Sequence, residues 1–307
     1  MTEASAPLPP SSQVRCGPLR GVFAAALTPL TAAGAAVDLD AIPGLVDFYQ
    51  RAGVDGLFVA GTTGESLLLD GDERQRLTDA VVTAAGRLRV AVNVGAQTTA
   101  ETVRLAEHAA ASGAAAVAVA PPPFFAVDDA ALLSHLATAA AAVAPLPFYL
   151  YEIRQRTGYP IPVNVVRELM QRAPNLIGMK VSDPTLEELE RYLTAGLDVL
   201  VGAESLVTAG LARGAVGVVS GLAGALPGAV VEALAPSDLA AGPVLGELRA
   251  GMERFPFHAA GKLALILQGV QIEPWVRPPL RQLSTTEQRH LQSWLTTQLN
   301  AVDTTHR

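Results

Sequence analysis

Three polar features stand in otherwise apolar stretches of this chain, and each could do chemistry. The first is Asn175-Leu-Ile-Gly-Met-Lys180-Val-Ser, an apolar run that carries one amine. Burial disfavours an ammonium ion, and a free amine can attack a ketone carbon to form an imine. The plainer role is a lysine that reaches for solvent or pairs with a carboxylate such as Asp183. The second feature is Gly61-Thr62-Thr63-Gly64-Glu65. Its glycines let backbone approach a ligand, and its hydroxyls can donate to a carboxylate or relay a proton. Successive N–H groups in such a turn form an anion nest suited to the carboxylate of a 2-oxo acid. Gly/Thr turns are common, however, and Glu65 reads by itself as a solvated or capping carboxylate. The third is Phe148-Tyr149-Leu150-Tyr151. Strand alternation sends both tyrosines to one side, where a phenol can shuttle protons during imine formation. An isolated tyrosine is otherwise a core residue with one hydrogen bond. Downstream, Arg154 and Arg156 could bind a second carboxylate or sit in water.

The chain holds twenty arginines but only two lysines, Lys180 and Lys262. Arginine stays protonated where a buried lysine can lose its proton, so a retained lysine is a candidate for chemistry that arginine cannot do. Lys262 lies in the helix-like run His258-Ala-Ala-Gly-Lys-Leu-Ala-Leu, where a surface charge is the expectation.

These groups need elements to position them. Apolar or β-branched runs predict strands over Val22–Leu27, Gly56–Val59, Val90–Val94, Ala115–Ala120, Phe148–Tyr151, Leu176–Val181, Leu197–Val201 and Val216–Ser220. Helix-period segments follow each of the first seven, near 40–52, 72–85, 100–111, 128–142, 163–172, 186–194 and 206–212. Start signals of the Ser/Thr/Asp-x-x-Glu type occur at Asp70/Glu73, Thr98/Glu101 and Thr185/Glu188. Such alternation predicts an α/β chain, a (β/α)8 TIM barrel in preference to a doubly wound sheet. The dinucleotide-type turn G-x-G-x-x-G is absent after the first strand, at Leu27-Thr28-Pro29. In such barrels reacting groups gather at the C-terminal ends of the strands, where all three polar features fall. The division expected is an N-terminal arm over 1–20, a barrel over 21–225 and a helical C-terminal region over 226–307, packed on the barrel. Its helices are read near 238–254, 258–268 and 284–300, the last opened by Ser284/Glu287.

Composition excludes other classes. Half of the 307 residues are hydrophobic and 17% are charged, enough for a large core. Net charge is −7 with dispersed Lys/Arg, which offers no basic stripe to nucleic acid and no polybasic segment to a membrane. Apolar stretches such as Ala109–Ala120 are broken before they reach bilayer-spanning length. Cys16 is the only cysteine, so neither an intrachain disulfide nor a cysteine-rich zinc cluster is expected. The opening MTEASAPLPPSSQVRCGPLR lacks the apolar run of a signal peptide and reads as a flexible leader. A cytoplasmic protein is expected.

Taken in order, Gly61-Thr-Thr-Gly-Glu-Ser66, Tyr151 with Arg156-Thr157-Gly158, and Gly178-Met-Lys180 resemble the dihydrodipicolinate synthase / N-acetylneuraminate lyase family. The likeness runs from about Leu19 through Gly221 and continues weakly into Val276-Arg-Pro-Pro-Leu280. It implies a (β/α)8 barrel with a helical C-terminal extension, assembled as a homotetramer built from dimers. It implies a pyruvate-dependent class I aldolase with Lys180 as the Schiff-base lysine and Tyr151 as proton shuttle. Thr62 and Thr63, following Gly61, would bind the pyruvate carboxylate, with Thr63 also in the proton relay. No metal or organic cofactor is implied, because the imine on Lys180 is itself the electron sink.

Two departures bear on the family member. Synthases condensing pyruvate with aspartate semialdehyde usually show Tyr-Asn-x-Pro-x-Arg-Thr-Gly; here Glu152 and Arg154 replace the Asn and Pro, while Arg156, which would hold the second substrate's carboxylate, is kept. Phe124 and Phe125 stand where synthases usually carry paired tyrosines, and phenylalanine cannot relay a proton. Gly202-Ala-Glu204-Ser205 resembles the segment that reads substrate hydroxyls in sialic acid lyases, although Glu204 also suits a helix start. The leading expectation is therefore a lyase making or cleaving a C–C bond between pyruvate and an aldehyde, on a 2-oxo-3-deoxy sugar acid or similar acid. The alternatives are 4-hydroxy-tetrahydrodipicolinate synthase, a dehydratase using the same imine, and a catalytically inert barrel that binds a sugar acid.

Overall fold

The computed structural model describes residues 17–235 and 241–304. Eight strands are hydrogen-bonded in sequence order into a closed parallel barrel: β1 (Gly21–Ala25), β2 (Gly56–Val59), β3 (Arg89–Asn93), β4 (Ala116–Val119), β5 (Phe148–Glu152), β6 (Leu176–Val181), β7 (Asp198–Val201) and β8 (Gly217–Ser220). Closure comes from β1 pairing with β8, with Val22 opposite Val218. The fold is the expected (β/α)8 barrel. Strand positions agree with the sequence reading to within two residues, because buried parallel strands read as short apolar runs.

Period-two alternation divides these strands between two faces. Outward residues such as Val22, Val90, Val117, Leu150 and Met179 pack under the surrounding helices. Inward residues fill the barrel with large side chains beside small ones, Phe23, Phe58, Tyr149 and Tyr151 against Ala25, Ala91, Ala116 and Ala118. Both tyrosines of β5 face inward, as alternation predicts. Tyr149 is occupied structurally, its hydroxyl accepting from the Leu19 N–H at 2.7 Å.

The expected helix starts are present. Asp70 and Glu73 form a reciprocal capping box, and the hydroxyls of Thr98, Thr185 and Ser284 accept from the N–H groups of Glu101, Glu188 and Glu287. Three short helices escape the periodicity reading: Arg154–Thr157, Gly221–Ala225 and Pro227–Ala233. None spans two full turns, too little for a 3.6-residue pattern to register. The C-terminal region continues as helices over Ala241–Glu253, Phe257–Leu267 and Thr285–Thr304. It packs on the barrel partly through Gln268, which donates to the Ala225 carbonyl at 2.8 Å.

The expected arm needs correction at its inner end. Residues 1–16, Cys16 included, lie outside the described residues. Leu19, however, is buried within the barrel's interior cluster, and Arg89 donates to the carbonyls of Gly17 and Pro18. The segment 17–20 is held because an open barrel end exposes apolar surface, and Leu19 covers it. Among the described residues no helix is long and apolar enough to cross a membrane, and no cluster of three or more His, Cys, Asp or Glu could hold a metal ion.

Candidate active site

Lys180 sits near the end of β6 on the inward face, opposite Tyr151 in the β5–β6 register. It is 5% exposed, and its Nζ lies 4.2 Å from the centroid of the Tyr151 ring and 4.5 Å from that of Phe58. The two rings meet edge to face, 5.5 Å between centroids. Among the described residues Lys180 makes no ion pair, and Asp183, its suspected partner, is buried without one. The amine is thus desolvated beside aromatic faces rather than neutralised. Gly202, at the end of β7, makes this possible. A side chain there would meet the Ser182 hydroxyl at 2.2 Å and Lys180 Cε at 3.1 Å. Gly202 therefore clears space for the lysine stem.

The Gly61–Glu65 turn follows β2. The N–H groups of Gly64, Glu65 and Ser66 are used within it, donating to the carbonyls of Gly61 and Thr62. Those of Thr62 and Thr63 have no acceptor among the described residues, so two adjacent donors remain for an anion. The Thr62 hydroxyl lies 3.1 Å from the Tyr151 hydroxyl. The hydroxyl in contact with Tyr151 is thus that of Thr62, whereas the resemblance implied a relay through Thr63. The Thr63 side chain instead lies towards Gly221 and Gly224. Gly61 serves packing more than ligand approach, since a Cβ there would strike the Phe58 ring at 2.8 Å.

The turn is strained and then pinned. Ala60 and Glu65 both hold left-handed backbone, at φ 52° and 60°, which costs non-glycine residues energy and persists only under strong constraint. The constraint comes from the C-terminal region. Glu65 is buried, not solvated as its bare motif suggested; its carboxylate accepts from Lys262 Nζ at 2.6 Å and from the Arg277 N–H at 2.7 Å. Lys262 correspondingly is no surface charge. Its side chain is fully buried and also donates to the Trp275 carbonyl. Burial lowers its pKa below the ordinary lysine value, only partly opposed by Glu65. His258 adds a second tie, its Nε2 donating to the Thr62 carbonyl at 3.0 Å. The count of two lysines was the available signal for Lys262; His258 carried none.

Above the turn and Tyr151 opens a cavity of about 810 Å3, walled also by Asn93, Arg156, Phe257 and His258. The Arg156 guanidinium, in the short helix after β5, has no hydrogen-bond or ion-pair partner among the described residues, while Arg154 turns away to Glu188 at 3.4 Å. Of the two, Arg156 is the free cation at the cavity. Glu204 is not among the residues lining this cavity; it is buried, and its Oε1 accepts from the Ser220 hydroxyl at 2.8 Å and the Leu222 N–H at 2.9 Å. Those donors belong to the start of the helix that follows β8, which explains the pull on this carboxylate. Glu152, the replacement beside Tyr151, points outward into the layer under the helices. It accepts from the Ile161 N–H at 2.6 Å and lies 3.0 Å from the Tyr192 hydroxyl. Burial, reinforced by nearby Asp183, pushes its pKa up to about 7.

Comparison with known proteins bears on family and fold. The sequence profile described as the Dihydrodipicolinate synthetase family matches residues 18–298. N-acetylneuraminate lyase of Rhizobium meliloti is 37% identical over 205 residues, covering 66% of this chain and 67% of its own. The 4-hydroxy-tetrahydrodipicolinate synthase of Sorangium cellulosum is 35% identical over 274 residues, 86% of this chain and 90% of its own. Among solved structures, YagE of E. coli K12, a prophage protein of the dihydrodipicolinic acid synthase family in complex with pyruvate, superposes with a TM-score of 0.84 at 26% identity over 91% of this chain and 98% of its own. N-acetylneuraminate lyase of Proteus mirabilis gives 0.81 at 28% identity, over 90% and 97%. Fold and relatives together define a lyase of the aldolase type on a (β/α)8 barrel. The chain belongs to the dihydrodipicolinate synthetase family.

Proposed function

We propose that the chain forms a Schiff base between Lys180 and pyruvate, without metal or organic cofactor, and joins or cleaves a C–C bond to an aldehyde. The supporting observation is the buried, unpaired Lys180 amine beside a Tyr151 hydroxyl that meets Thr62 at 3.1 Å. The amine attacks the C2 carbonyl and gives a carbinolamine. Tyr151, backed by Thr62, returns a proton to the departing hydroxyl, which leaves as water. The free N–H groups of Thr62 and Thr63 hold the carboxylate. Loss of a C3 proton then gives an enamine that attacks the aldehyde carbon, and cleavage runs the same path backwards.

The partner proposed is the aldehyde portion of a 2-oxo-3-deoxy sugar acid or a similar short acid. Phe124 and Phe125 support this over the synthase reading, because neither carries a hydroxyl. Arg156 favours the second reading, condensation with aspartate semialdehyde, since an unpaired guanidinium at the cavity suits an acceptor carboxylate. The assembly is read as a homotetramer built from dimers in the cytoplasm. Exposed Leu67, Phe124 and Phe125 are surface that an interface would cover.

The deciding experiment is incubation with pyruvate and borohydride followed by peptide mass mapping. An adduct of reduced pyruvate on Lys180, absent in Lys180→Ala, is expected. A well-folded wild type without it supports the inert binder. Product assays with 2-oxo-3-deoxy sugar acids, sialic acid and aspartate semialdehyde then separate the enzymatic readings.

A further inference from the structure

Of the groups in the proposed imine chemistry, Thr62 and Tyr151 line the cavity. A volume of about 810 Å3 is far more than a three-carbon acid fills, and His258 and Arg156 wall the remainder. His258 lies in the first turn of the helix over Phe257–Leu267, and its ring is fixed edge to face against Phe257. The tautomer follows from its contact. A carbonyl can only accept, so the bond to the Thr62 oxygen puts the proton on Nε2. Burial pushes the ring's pKa below the ordinary histidine value, against the Thr62 hydrogen bond and the charge of Glu65, and so favours the neutral form. Nδ1 then carries a lone pair, and among the described residues nothing donates to it.

Resting on the aldolase reading above, we infer that His258 is a specificity-determining residue. Its Nε2 anchors the Thr62 carbonyl while its Nδ1 accepts a hydrogen bond from a hydroxyl on the aldehyde-derived part of the substrate. The ligand class it selects is a polyhydroxylated aldehyde over an aliphatic one of equal length. One ring thereby couples acceptor recognition to the turn that holds the pyruvate carboxylate.

Two amides separate the two nitrogens. The variant His258→Gln keeps a donor near the Nε2 position and loses the Nδ1 acceptor; His258→Asn keeps an oxygen near Nδ1 and loses the distal donor. Each is assayed for borohydride trapping of pyruvate, and for condensation of pyruvate with glyceraldehyde and with propanal. In wild type, glyceraldehyde is expected to be preferred. In His258→Gln that preference falls roughly ten-fold through the KM for glyceraldehyde, with trapping unchanged. In His258→Asn the preference is kept and trapping slows. A wild type indifferent to the hydroxyls overturns the inference, as does a preference retained in His258→Gln or lost in His258→Asn. Trapping that falls in His258→Gln as much as condensation does leaves only an anchor and also overturns it. Failure of wild type to trap pyruvate at all counts instead against the aldolase reading, and is visible separately.

Discussion

Replacing Lys262 by Met tests how the catalytic turn is held. The Lys262 and Glu65 side chains are both fully buried, 2.6 Å apart, so the substitution strands a carboxylate in an apolar interior. Removing one partner of a buried pair costs about 3–5 kcal/mol. That is a large share of the roughly 5–15 kcal/mol by which proteins are stable. The stranded group can escape by taking a proton, which for an ordinary glutamic acid at pH 7 costs about 3.7 kcal/mol, a value of the same size. Two consequences follow from that agreement. The deficit of Lys262→Met should shrink by about 1.4 kcal/mol for each pH unit lowered towards 5. The double variant Glu65→Gln/Lys262→Met should recover half the loss or more, since a neutral amide still accepts from the Arg277 N–H. Urea midpoints and slopes at pH 7 and pH 5 measure both, and the melting temperature should drop by about 6 °C or more. Pyruvate trapping should slow as well, because the turn loses its anchor. A loss under about 1 kcal/mol, or a double variant no more stable than the single, would refute the idea that this pair carries the strain of the turn.

Tyr151→Phe keeps the ring beneath the amine and removes only the hydroxyl, so kcat should fall by about 10²–10³ while the urea midpoint hardly moves; stopped-flow turnover decides. Gly202→Ala puts a methyl against Ser182 and the Lys180 stem, and should slow borohydride trapping roughly ten-fold or more with the fold kept by circular dichroism. Glu152, with its pKa raised to about 7, is protonated in the folded chain while the unfolded chain has already ionised it. Its contribution to stability is therefore present at low pH and declines as pH rises through the interval up to about 7, by on the order of 2–3 kcal/mol. Glu152→Gln should flatten that decline, read as denaturation midpoints at pH 5 and pH 8.

The barrel was legible because buried parallel strands and amphipathic helices impose opposite periodicities, visible in runs as short as Gly56–Val59. The candidate site residues were legible because polar side chains at the ends of apolar strands are conspicuous. What the sequence concealed were pairings between distant segments. Glu65 and Lys262 lie 197 positions apart, and only the folded chain shows that each satisfies the other. His258 hides for the same reason, since its partner is a main-chain carbonyl, which every residue owns. Glu204 is ambiguous because a carboxylate after β7 can serve either a ligand or a neighbouring helix start, and local sequence does not distinguish them. The choice of Thr62 over Thr63 likewise depends on side-chain direction within a strained turn.

Leu19 seals the end of the barrel opposite the chemistry, and Arg89 clasps the two residues before it. With that end covered, the cavity lined by Thr62, Tyr151 and Arg156 opens at the rim where the strands finish. Trimming the chain past that stopper would let solvent reach the inner tyrosines from behind, so a shortened chain should keep residues 17–19.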